Sequence, residues 1–179
     1  VSSNESIETI ASALKRKNAA NIVVDPVMIS KSGCHLLKPE SCTALVENLF
    51  PLALVVTPNL FEAAAITGDR VENLEEMKEA AVKIHRMGAR NVVVKGGHLT
   101  GDAIDVLFDG KDFEYIKGTR IDSKNTHGTG CTFSSAITAC IAKGYGVREA
   151  LQTAKAYING AIEHSIALGH GVGPTNHFY

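Results

Sequence analysis

Short runs of β-branched residues alternate along this chain with longer stretches of helical period, and that alternation restricts the possible folds more than any other feature. The runs Asn21–Val24, Leu52–Val56 and Asn91–Lys95 predict strands. Between and around them, helical spacing predicts helices over Asn4–Lys17, from Pro39 onward with Leu45, Val46 and Leu49 on one face, over Leu60–Ile66 before Gly68, and over Leu74–Met87 before Gly88. Parallel strands need crossovers of about a dozen residues, which these helices supply, so the expected class is an α/β layered domain with a mostly parallel sheet. The stretch Asp102–Gly118 carries apolar residues on both sides of Asp109-Gly110 and predicts a β-hairpin, the one antiparallel element. Two further helices, Thr132–Lys143 and Val147–Leu168, lead into a glycine-rich tail.

Length and charge narrow the partners. A chain of 179 residues suits a single domain spanning 1–179, and 45% apolar with 21% charged residues is an ordinary globular composition. A formal net charge of -1 argues against nucleic acid and anionic membranes as partners, leaving a small molecule. Cys34, Cys42, Cys131 and Cys140 form no CxxC pair, which fits free thiols better than a zinc knuckle or a disulfide framework. No apolar run reaches the roughly 20 residues that span a bilayer. The first residue is Val rather than Met, which suggests processing or a boundary.

Three strands end in similar polar punctuation: Asp25-Pro26, Thr57-Pro58-Asn59 and Lys95-Gly96-Gly97. Ligands of open α/β sheets bind outside the carboxyl ends of the strands, so these ends are expected to share one crevice. Each motif taken alone is equally a simple turn. The segment Asn125–Thr132, NTHGTGCT, runs straight into an apolar helix. Glycines permit close backbone approach there, and the unpaired first amides of the helix make an anion-binding site for a phosphate. Neither GxxxxGK[ST] nor GxGxxG occurs. Cys131 falls in the first turn of this helix, where the local field favours thiolate and a role as base, the alternative being a small buried packing residue.

Taken in order, DPVM (Asp25–Met28), TPNLFEAA (Thr57–Ala64), VKGGHL (Val94–Leu99), NTHGTGCT (Asn125–Thr132) and the terminal GHGVGPTNHF (Gly169–Phe178) resemble the hydroxymethylpyrimidine/phosphomethylpyrimidine kinases of the ribokinase-like superfamily over the whole chain. The resemblance implies a three-layer ribokinase-like fold, a mostly parallel sheet flanked by helices plus a β-hairpin. It also implies ATP-dependent phosphorylation of hydroxymethylpyrimidine or its monophosphate in thiamine biosynthesis, with ATP and Mg²⁺ as cofactors, in a cytoplasmic homodimer. Gly128, Thr129 and Gly130 correspond to the family's anion hole and Cys131 to its base. Asn59 and Glu62 match the NxxE motif that organises Mg²⁺, and Asp25 matches the acidic residue that positions Mg²⁺ and phosphate. Lys95 and Thr126 belong with the nucleotide phosphates, and Asp105 and Lys124 are further candidates to face the nucleotide. Glu62 also reads as a solvated helix-face carboxylate, Asp25 and Lys95 as plain strand ends, and His98 and His127 as structural. For a substrate that already carries a phosphate the attacking oxygen is ionised, and Cys131 then mainly positions it.

Family members are longer at the amino end, so the chain is expected to be a carboxy-terminal portion lacking the amino-terminal units that recognise the alcohol. Loss of those strands is expected to leave an open sheet edge. The rival readings are a pyridoxal kinase of the Cys-bearing subgroup and a non-catalytic nucleotide-binding module.

Overall fold

The computed structural model describes residues 3–28, 37–97, 99 and 103–179; Cys34 and His98 lie outside the described residues. Its elements run α1 (Asn4–Arg16), β1 (Ile22–Val24), α2 (Pro39–Leu49), β2 (Ala53–Val56), α3 (Leu60–Thr67), α4 (Leu74–Arg86), β3 (Asn91–Val94), β4 (Ala103–Phe108), β5 (Phe113–Gly118), α5 (Thr129–Ala142) and α6 (Val147–Glu163). The strands form one sheet in the order β1-β2-β3-β4-β5. β1 pairs parallel with β2 (Val24 opposite Val56) and β2 parallel with β3 (Val56 opposite Val92), whereas β3 pairs antiparallel with β4 (Val92 opposite Phe108). The chain divides into two compact units, Val1–Leu99 with Ile104–Tyr115, and Thr100–Ala103 with Ile116–Tyr179.

Local chemistry explains the elements of the first unit. Ser3 caps α1 by accepting from the Ser6 amide, and Asn73 caps α4 by accepting from the Glu76 amide. In α4 the residues at helical spacing, Met77, Ala80, Ala81 and Ile84, are the buried ones. Val92, Val93 and Val94 of β3 are all fully buried, so this strand is covered on both faces, as the continuous valine run implies. Each fully buried valine stabilises the fold by about 1.5–2 kcal/mol. Between β4 and β5 the Asp109 carboxylate accepts from the amides of Lys111 and Asp112, and Gly110 takes φ +95°, which completes the expected turn.

In the second unit two helix boundaries differ from expectation. α5 starts at Thr129 rather than Thr132, because Gly128 takes the left-handed conformation (φ 81°, ψ 2°) as N-cap and lets the helix begin inside the glycine turn. α6 stops at Glu163 rather than Leu168. The tail takes part in closing it: the Asn176 amide donates to Ala161 O at 2.9 Å and Asn176 Nδ2 to His164 O at 3.2 Å, while the Gly160 and Ile162 carbonyls accept from the amides of His164 and Ser165. Ile166 and Leu168, whose spacing suggested more helix, are 59% and 64% exposed. Among the described residues no helix is long and apolar enough to cross a membrane.

Candidate functional site

The ends of β1, β2 and β3 meet within the first unit as the punctuation predicts. Asp25 follows β1, and the Thr57 amide extends the ladder by donating to Val24 O at 3.0 Å. Fully buried Thr57 turns its hydroxyl onto Asp25 Oδ1 at 3.0 Å. Lys95, just past β3, donates its backbone amide to Pro58 O at 2.8 Å and forms a parallel bridge with Asn59. Its ammonium reaches the same Asp25 Oδ1 at 2.7 Å, with side chains only 15% and 13% exposed. The ion pair therefore joins the first strand end to the third across the second.

The next residue holds this arrangement against β4. The Gly96 amide donates to the buried Asp105 carboxylate at 2.9 Å, and a Cβ at position 96 would lie 1.9 Å from the Ile104 carbonyl oxygen, so only glycine fits. The Asp105 carboxylate thereby holds the strand end beside Lys95.

Glu62 sits one helical turn after the second strand end. Asn59 is the N-cap of α3: its Oδ1 accepts from the Glu62 amide at 2.9 Å while Glu62 Oε2 accepts from the Asn59 amide at 2.8 Å, a reciprocal capping box. Gly68, at φ 74°, closes the helix. Glu62 is only 2% exposed, so it is not the solvated helix-face carboxylate that its spacing also permitted. Burial raises its pKa from 4.5 to about 7, aided by the nearby negative Asp25 and opposed by Lys95 and by the amides of Asn59 and Met28. A buried carboxylate that resists ionisation favours a nearby cation.

Sequence reasoning missed Thr57 and the capping role of Asn59. The Asn-x-x-Glu spacing was the available signal for the second, since it has the form of a capping box. For Thr57 the only signal was a hydroxyl residue at the end of a buried strand.

The second unit holds the other candidates as one backbone feature. Gly128 N-caps α5, the Thr129 hydroxyl bonds back to Thr126 O at 3.2 Å, and the Thr132 amide donates to Gly128 O at 2.9 Å. Gly130 and Cys131 thus lie in the first turn of the helix. Cys131 is exposed, whereas Cys140 on the same helix is buried with Phe133, Ile137 and Ile141, so the packing alternative does not describe Cys131. His127 is exposed and its amide donates to Gly173 O at 3.0 Å, a structural use of that residue's backbone.

The donor set can be tested against Mg²⁺. Asp25 and Glu62 offer hard carboxylate oxygens, one of them buried at a cost that a cation would relieve. Among the described residues no group of three or more His, Cys, Asp and Glu could hold a metal alone, so such an ion would complete its shell with water and phosphate. Mg²⁺ dehydrates reluctantly and binds in that manner, so the residues suit it.

Comparison with known proteins adds a second line. The profile of the phosphomethylpyrimidine kinase family matches residues 1–176. The thiamine biosynthesis bifunctional protein of Geobacter sulfurreducens is 51% identical over 176 residues, which is 98% of this chain and 36% of that protein. The hydroxymethylpyrimidine/phosphomethylpyrimidine kinase of Rhizobium meliloti is 49% identical over 183 residues, covering 100% of this chain and 68% of that enzyme. Among solved structures, the ADP complex of Bacillus subtilis pyridoxal kinase superposes with a TM-score of 0.91 at 47% identity, covering 98% of this chain and 67% of that one. The chain thus spans about a third of the first relative and about two thirds of the other two.

Proposed function

Because the chain belongs to the phosphomethylpyrimidine kinase family and has its α/β, ribokinase-like fold, we propose that it carries the nucleotide-binding and catalytic part of an ATP-dependent kinase acting on hydroxymethylpyrimidine or its monophosphate. The observation that carries this reading is the meeting of Asp25, Lys95 and Glu62 at three strand ends, two of them ion-paired and the third held buried by a capping box. An ammonium fixed by a partly buried carboxylate is a preorganised charge, and preorganisation is what stabilises a phosphoryl group in transfer.

Each residue then has a part. Lys95 holds the phosphates of ATP, with Asn59 and Thr126 lending polar contacts. Asp25 and Glu62 would hold Mg²⁺, which when bound offsets phosphate charge. The amides of Gly128, Thr129 and Gly130, at the positive end of α5, receive charge that develops on the transferring group. Cys131, exposed in that first turn, accepts the proton of an attacking hydroxyl. A phosphate oxygen as acceptor needs no such base, so Cys131 matters less for the monophosphate.

A second reading, pyridoxal kinase, is favoured by the likeness to the Bacillus subtilis enzyme. ADP release from a polypeptide containing this chain, given hydroxymethylpyrimidine, its monophosphate or pyridoxal, tests both. Turnover of the pyrimidines supports the first reading and turnover of pyridoxal alone the second. ATP binding without transfer to any of the three would leave only a nucleotide-binding module.

A further inference from the structure

The end of the chain is tied to the residues that enter the glycine turn. The His127 amide donates to the Gly173 carbonyl at 3.0 Å, and His127 forms an isolated parallel bridge with Pro174. Asn125 lies so close to Gly173 that a Cβ there would stand 2.2 Å from Asn125 Oδ1 and 2.9 Å from its Cγ. Gly173 lies outside the left-handed region, so a side chain there would be opposed by the Asn125 side chain and not by torsion. Asn125 is fixed from its other side, its amide donating to Ser123 Oγ at 3.1 Å and its Nδ2 to Ser165 Oγ at 3.4 Å.

Beyond Gly173 the same segment is anchored on α6. Thr175 is 5% exposed, and Asn176 takes the Ala161 and His164 carbonyls at the end of the helix. Tyr179 lies over Gly160, where a Cβ would meet its ring at 2.4 Å; its hydroxyl donates to Tyr157 O at 2.8 Å and its ring stacks on His164 at 5.1 Å. At Gly128 a Cβ would find no atom within 4 Å, and the residue carries no side chain to cap the helix, so the turn is held by the Thr129 hydroxyl on Thr126 O and by what fixes the chain just before it.

We propose that residues 173–179 are a strap that positions the glycine turn, with Gly173, packed against Asn125, as its positioning residue. The purpose assigned to the strap rests on reading Gly128–Gly130 as a phosphate-holding turn. Its physical content is that backbone amides stabilise a developing charge only while their direction is fixed in advance, and the strap holds the residues that lead into the turn.

The test uses Cys131, exposed in the first turn of α5, as a reporter, and buried Cys140 as an internal control. Alkylation by iodoacetamide is followed at each cysteine by peptide mass spectrometry. In Gly173→Ala the Cys131 rate should fall about two- to fivefold, the size of a lost helix-terminus interaction, while Cys140 stays protected. In the double variant Gly173→Ala/Asn125→Ala the two close contacts are gone and the nearest atom to the new methyl group is Cβ of residue 125, at 3.4 Å, so the rate should return toward that of the unaltered chain. The double variant also serves if the single one fails to fold. An unchanged Cys131 rate in the folded single variant, no recovery in the double, or equal loss of protection at Cys140 would each overturn the strap. Protection of Cys131 by ADP in the unaltered chain separately tests the phosphate reading, and its absence would remove that reading while leaving the rate comparison intact.

Discussion

At the strand ends of the first unit the polar groups are side chains buried against one another, whereas at the start of α5 in the second the polar feature is backbone, with a thiol exposed to solvent. Buried side-chain charge is held by specific partners and responds strongly to their removal and to pH. Oriented amides are indifferent to most side-chain changes and respond to the torsion of a single residue. The two regions should therefore fail in different ways when perturbed.

The sharpest break between them is Lys95→Met. It strips the ammonium from a largely buried Asp25 and should cost about 3 kcal/mol, read from denaturant unfolding; a loss below about 1 kcal/mol would place the pair with surface ion pairs.

Glu62 gives the next effect. Its pKa in the fold is about 7 against an ordinary 4.5, so the folded chain binds this proton more tightly than the unfolded one. The contribution of Glu62 to stability should be greatest below about pH 4.5, decline as pH rises through about 7 and level off above, with a total change on the order of 3 kcal/mol. The difference between the unaltered chain and Glu62→Gln, measured without Mg²⁺, isolates this contribution from other carboxylates. A flat difference across that range would mean that Glu62 ionises freely.

In the second unit Gly128→Ala meets no atom within 4 Å, so its cost is torsional alone at φ 81°, about 1 kcal/mol in unfolding. The proposed phosphoryl transfer should suffer more than stability does. Cys131→Ala, at an exposed position, should change stability by less than about 0.5 kcal/mol. It should slow transfer to a hydroxyl acceptor more than to a phosphate acceptor, measured by ADP release. Equal slowing with both acceptors would remove the proton-accepting role.

The two regions are unequally legible in the sequence. For the first unit, strand ends at Asp25, Thr57 and Lys95 can be read from valine runs broken by proline and glycine, because strand propensity and turn chemistry act locally. Helix α4 is equally plain, since its buried residues keep helical spacing. The second unit is harder. Ile166 and Leu168 continue the period of α6, yet the helix ends at Glu163, where Asn176, distant in sequence, takes the Ala161 and His164 carbonyls. The pattern puts the start of α5 at Thr132 because glycines usually break helices, and here Gly128 begins one instead.

By itself, then, the order of residues determined the alternation of strands and helices, the polar strand ends and the glycine turn before α5, all properties set by near neighbours. Only the tertiary structure decided that Glu62 is buried beside an ion pair, that Asp105 holds Gly96, and that Gly173 packs against Asn125. The reason is physical: desolvation and close contact depend on which distant segments arrive at one place, and no local pattern encodes that arrival.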